Sequence, residues 1–248
     1  MSRNSYHNHT VYCDGANTPE EMVLYAVSEG CAEIGFTGHS YTDIDDPHPF
    51  CMSPQSTKEY KSEIIRLKEK YKDKIKIYLA VEQDYYSEDS TEGYEYVIGA
   101  VHYVLKDGYY IPLDYSGDEQ TDAVNKYYNG DFYALVEDYY ELVGDLYNKT
   151  RCDIIAHFDI ITKFNEGNIL FDTSNPRYIA AADKALDKLL KEDVTFEVNY
   201  GAVARGYRKS PYPDERILKR IKNAGKPIIY SSDCHSKENL LFGIPDNK

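Results

Sequence analysis

Residues 5–15, "SYHNHTVYCDG", place His7 and His9 one residue apart and Asp14 five positions after the second. On an extended strand, residues i and i+2 point to the same side, so both imidazoles can reach one ion. If this stretch ends a first strand as the start of a metal site, the positions of the remaining ligands decide the fold.

Six further apolar runs are short enough to be strands: "EIGFTGH" (33–39), "IKIYLAVE" (75–82), "YVIGAVH" (96–102), "DIIAHF" (153–158), "VTFEVNY" (194–200) and "PIIYSSDCH" (227–235). Amphipathic stretches separate most of them. Thr18, Pro19 and Glu21 form a capping box opening a helix that Gly30 stops. Further helices are expected at about 57–72, over "FYALVEDYYELVGDLYNK", at 176–192 and at 213–224. Residues 103–131 read as an insertion, with "KDGYY" as a hairpin turn. Strands alternating with helices predict an α/β fold with a parallel sheet. Seven strands exceed one doubly wound half, and no linker divides the chain. The expectation is one domain over 1–248, folded as a closed seven-stranded β/α barrel.

Six of the seven histidines fall at strand ends. His7 and His9 end the first strand, His39 follows the second, His102 the fourth, His157 the fifth and His235 the seventh. His48, in "DDPHPF", lies elsewhere. Glu82 ends the third strand, and Asp233 precedes His235. In a parallel barrel these ends converge on the face where active sites are built. Imidazole and carboxylate ligands without thiolates suit zinc, manganese or iron. Cys234 sits between Asp233 and His235, so its sulfur points away from them and is not a ligand.

Composition narrows the class. The 28 basic and 42 acidic residues leave a net charge of −14, which disfavours a nucleic-acid partner. No apolar run approaches membrane-spanning length. Five cysteines with no C-x-x-C pair suit reduced thiols in a cytoplasm.

The order "HNH", "GHS", "AVEQD", "AVH", "AHFD" and "SDCH" resembles the PHP (polymerase and histidinol phosphatase) superfamily. "AHFDIITKFN", "GYYIPLDYS" with "GDFYALVEDYYELV", and "EVNYGAVARGYRKSPYP" resemble its monofunctional histidinol-phosphate phosphatase branch. The resemblance implies a distorted seven-stranded barrel, TIM-like in plan, with up to three divalent metals. His7, His9, Glu82 and Asp233 would hold the first. Glu82, His102 and His157 would hold the second, and Asp14, His39 and His235 the third. Some relatives have histidine in place of Asp14, and many have an acidic residue in place of Gly38.

These nine ligands carry a charge of −3, so three divalent ions leave the pocket at about +3. That local charge attracts a phosphate ester despite the acidic chain. The expected chemistry is attack on phosphorus by a hydroxide generated at the metals, with Asp233 and Arg205 acting at the reacting group. Arg205 is the expected phosphate clamp, because guanidinium binds two oxygens at once. Lys163 is a second candidate for phosphate and Arg208 a weaker third. The substrate would be L-histidinol phosphate, a small molecule, with its amine and imidazole met by the "YTDIDD" loop or the Tyr-rich 103–131 insertion. Rival readings are a PHP phosphoesterase on nucleotides, oligonucleotide ends or phosphotyrosine proteins, and a metal-binding PHP domain without catalysis. The sequence leaves the oligomeric state open.

Overall fold

In a computed structural model, which describes residues 3–45 and 50–246, apolar strands alternate with amphipathic helices. His48 and Asp46 lie outside the described residues. The order is α1 (Pro19–Ser28), β1 (Glu33–Phe36), α2 (Pro54–Tyr71), β2 (Lys76–Leu79), β3 (Val81–Asp84) and β4 (Val97–Ala100). A hairpin β5 (Tyr103–Lys106) and β6 (Tyr109–Pro112) follows, then α3 (Gly117–Tyr127) and α4 (Phe132–Thr150). The chain continues through β7 (Ile154–Ile155), α5 (Pro176–Leu189), β8 (Thr195–Asn199), α6 (Gly201–Ala204), α7 (Glu215–Asn223) and β9 (Ile228–Ser231).

Local chemistry sets the helix starts. The Thr18–Glu21 capping box forms as expected, and Gly30, in the left-handed region at φ 74°, follows the helix. Helix α2 begins earlier than expected, because Ser53 caps it by accepting from the Ser56 amide and Pro54 fits the first turn. Asp131, Asn175 and Asp214 cap α4, α5 and α7.

The sheet is mostly parallel. Strand β1 pairs with β2, and β3-β4-β7-β8-β9 form a five-stranded parallel sheet; β5 and β6 pair antiparallel. Seven continuous strands were expected, and hydrogen bonding instead gives nine short ones among the described residues. Residues 5–9 form no full ladder. They pair through single parallel bridges, Ser5 with Ile34 and Asn8 with Cys234. The Asn8 side-chain amide donates to the Ser5 and Gly35 carbonyls, and the Ser5 carbonyl also accepts from the Gly35 amide. "IKIYLAVE" breaks at Ala80, where the chain changes partner from β1 to β4. A bridge from His39 to Glu82 joins the two parallel sheets.

Two apolar cores flank the strands. One gathers Val136, Tyr139 and Tyr140 of α4 with Ala182 and Leu186 of α5 and Ile221 of α7. The other gathers Met22 and Val23 of α1 with Ile64 and Leu67 of α2 over Ile34, Phe36 and Ile77. With helices packed against the strands, the strand ends are the place where polar side chains collect. No helix among the described residues is long and apolar enough to cross a membrane.

Candidate metal centre

Glu82 lies on β3, whose four residues are all buried, and it is itself 1% exposed. Five imidazoles surround its carboxylate. His7 Nε2, His9 Nε2 and His39 Nδ1 lie 3.2, 3.4 and 3.0 Å from Oε2. His102 Nε2 and His157 Nε2 lie 3.4 and 3.0 Å from Oε1. Asp233 Oδ1 is 3.1 Å from His9 Nε2 and 3.6 Å from His7 Nε2. Asp14 stands at the rim, 3.1 Å from His235 Nε2 and 3.7 Å from His39 Nε2. All nine residues expected from the sequence therefore meet.

The donor set fits divalent cations. His7 Nε2, His9 Nε2, His39 Nδ1 and Glu82 Oε2 are buried without hydrogen-bond partners. Orphaned polar atoms of this kind are costly unless something coordinates them. Three groups have ligand atoms close enough to share an ion: His7, His9 and Asp233; His39, Glu82 and His102; and His9, Asp14, His39 and His235. His9 and His39 each stand in two groups, which the simple division into three sets did not anticipate.

Charge follows the same geometry. Burial opposes ionisation of Glu82, yet His7, His39 and His102 hold its carboxyl well below the usual range. Burial likewise opposes ionisation of Asp233, which His7 and Arg205 hold low. Burial together with His235 and His39 pushes His9 down to about 3, so its imidazole stays neutral and able to ligate.

Two buried acids that the sequence reading missed hold the imidazoles. Glu197 Oε1 lies 2.6 Å from His7 Nδ1, and its Oε2 accepts from the His157 amide at 2.9 Å. Asp84 Oδ2 lies 3.1 Å from His102 Nδ1 and accepts from the His102 amide. Such partners fix the tautomer and leave Nε2 facing the cluster. Both stand in short buried strands, "TFEVN" and "VEQD".

Asp233 adopts φ 45°, the left-handed region, unusual for a residue with a Cβ. Gly201 leaves room for its side chain, since a Cβ there would lie 2.8 Å from Asp233 Oδ2. Gly38, where an acid was expected in relatives, packs on Met52, whose sulfur would lie 3.1 Å from an added Cβ. His39 is oriented instead by Glu82, Asp14 and the edge-on Phe50 ring, 4.6 Å away. Cys234 points into the second core and donates to Asn8 Oδ1 at 3.4 Å.

The cluster opens into a cavity of about 330 Å³ that Arg205 and Lys163 also line. Arg205 donates to the Asp233 carbonyl at 3.2 Å and lies 2.8 Å from His235 Nδ1. Lys163 donates to the Asp114 carbonyl at 2.6 Å. Arg208 does not reach this cavity. Its guanidinium stacks on Tyr212, bonds Thr162 Oγ1 and lines a separate cavity of about 140 Å³ beside Asp159. The acidic loop also falls short: Asp43 and Asp45 are exposed and outside the lining.

The PHP domain family profile matches residues 5–201. The chain belongs to the PHP domain family. The match stops short of Asp233 and His235, so their place in this PHP domain rests on the geometry above. Histidinol-phosphatase of Bacillus subtilis (strain 168) is 26% identical over 267 residues, covering 98% of this chain and 97% of its own length. The HisK protein of Listeria monocytogenes shares the fold, with TM-score 0.82 and 18% identity over 97% of this chain and 98% of that one. Histidinol phosphate phosphatase of Lactococcus lactis, solved with zinc, L-histidinol and phosphate, has TM-score 0.64 and 19% identity over 95% of this chain and 87% of its own.

Proposed function

We propose that this PHP domain hydrolyses L-histidinol phosphate to L-histidinol and phosphate with the help of divalent metals. One observation carries the reading: Glu82 meets five imidazoles, three of them with orphaned nitrogens, in a cluster that opens into a cavity lined by Arg205. The substrate comes from the relatives, which are histidinol phosphatases by name and in one case hold L-histidinol and phosphate.

His7, His9, Glu82 and Asp233 would hold one ion, Glu82, His102 and His157 a second, and Asp14, His39 and His235 a third. Zinc, manganese or iron held there would lower the pKa of water and offset phosphoryl charge. Glu82 would serve neighbouring sites, and its charge would reduce the repulsion between cations. Glu197 and Asp84 hold His7 and His102 with Nε2 turned inward. Arg205 sits at the mouth, where its fork can take two phosphate oxygens. Lys163 gives one of its three donors to the Asp114 carbonyl and lines the same cavity, so it would be the second phosphate ligand. Arg208, in the separate cavity, takes no part in phosphate binding.

The single bridges at Ser5, Asn8 and His39 support a wider reading of the fold. Residues 5–9, β1, β2 with β3, β4, β7, β8 and β9 would be the staves of a distorted seven-stranded barrel, one domain over 1–248. Five cysteines with no C-x-x-C pair suit a reducing, cytoplasmic location.

Steady-state turnover of L-histidinol phosphate beside a panel of phosphomonoesters and diesters, with zinc, manganese or iron added, tests the assignment. A clear preference for L-histidinol phosphate is expected. Equal rates on every monoester would remove the substrate, and no turnover with any metal would remove the enzyme.

A further inference from the structure

A phosphate ester entering this cavity presents its anion to the metal cluster and Arg205, and its leaving group to the rest of the lining. Among the described lining residues, Asp114 is the one carboxylate outside the nine metal-centre residues. It lies just past the hairpin, where β6 ends at Pro112. Lys163 gives its short bond, 2.6 Å, to the Asp114 backbone carbonyl. The Lys163 ammonium stands 3.6 Å from Asp114 Oδ2, beyond hydrogen-bond length. The lysine therefore fixes the loop and leaves the carboxylate facing the cavity, with its side chain 28% exposed. Phe50, Pro112 and Ile160 supply apolar wall around it, and Phe50 is held flat against Tyr103 at 5.7 Å.

We propose that Asp114 is the specificity residue for the leaving group, binding an ammonium carried on the carbon next to the ester methylene. This rests on the phosphomonoesterase reading above and deepens it. A carboxylate that shares a cavity with a cationic phosphate site selects a zwitterionic ester, whose anion and amine each find a partner. Plain phosphomonoesters satisfy only the first contact and leave the half-buried carboxylate with the longer Lys163 ion pair alone. Partial burial opposes ionisation of Asp114, but Lys163, His102 and His39 hold its pKa below the ordinary value, so it is an acceptor at neutral pH.

The test compares metal-loaded wild type, Asp114→Asn and Asp114→Glu on L-histidinol phosphate and on imidazolylpropyl phosphate, which lacks the amine. In Asp114→Asn the ratio of kcat/KM between the two esters is expected to fall by roughly 10- to 100-fold, carried by KM, with partial recovery in Asp114→Glu. An equal loss on both esters, or an unchanged ratio, overturns the proposal. Calorimetric binding of L-histidinol gives a readout that needs no turnover: affinity should drop in Asp114→Asn, and equal affinity overturns the proposal as well. If wild type instead prefers another amine-bearing monoester, such as O-phosphoethanolamine, the histidinol assignment fails. Asp114 is then decided by the same ratio between that ester and ethyl phosphate.

Discussion

Glu197 Oε1 stands 2.6 Å from His7 Nδ1, and the same carboxylate accepts from Ser231 Oγ, the His157 amide and Asn199 Nδ2. Each of these four groups can donate, so an amide would turn one N–H against a donor. Glu197→Gln should therefore release His7 and weaken metal binding roughly 10- to 100-fold. Competition with a chelator of known affinity measures this, and unchanged affinity would show that His7 is positioned by other contacts.

Glu82→Gln removes the charge that five imidazoles share. The variant is expected to lose bound metal, counted by elemental analysis, and to lose turnover beyond the roughly 100-fold typical of outer partners. Full metal content in a folded variant would contradict its bridging place.

Arg205→Ala should raise the inhibition constant of inorganic phosphate by roughly 10- to 100-fold, the scale of a charge-assisted pair. Arg208→Ala should leave that constant alone, since Arg208 faces the separate cavity. Equal effects of the two changes would refute the distinction.

Asp159 gives a pH signature. It is fully buried, one oxygen has no hydrogen-bond partner, and burial raises its pKa to about 6 while Arg208 works the other way. A carboxyl raised in the folded state binds its proton more tightly there than when unfolded. Stability is then lost as pH climbs from about 4 to about 6, by at most about 3 kcal/mol. Asp159→Asn should flatten that slope and raise the melting temperature at pH 7. Urea melts from pH 4 to 8 check it, and parallel curves for both proteins would rule it out.

Metal removal should destabilise the protein. With free metal a thousandfold above its dissociation constant, one site contributes ~4 kcal/mol. Calorimetric melts with and without chelator should differ by several degrees, and coincident melts would exclude tight binding by the folded state.

The metal-centre residues were legible because strand ends converge in a parallel α/β fold, so histidines after apolar runs had to share a rim. Helix α1 was legible from its capping box. Helix α3 carried a comparable sign, Ser116 capping the Glu119 amide, but the Tyr-rich surroundings masked it. Sequence could not place Arg205 and Arg208 apart, because three residues in a loop decide which cavity each faces. Glu197 and Asp84 were hidden for a different reason. An acid in a strand buried on both faces gives no periodicity from which to read its direction.

Asn8 and Cys234 are bridged although 226 positions separate them. During synthesis the H-x-H pair leaves the ribosome long before Asp233 and His235 are made. Contacts of such long range close late in folding. A nascent chain can thus offer loose imidazoles to passing ions, but it cannot complete the cluster. Loading belongs to the finished polypeptide, and any truncation that removes β9 should leave a chain that binds metal weakly and turns over nothing.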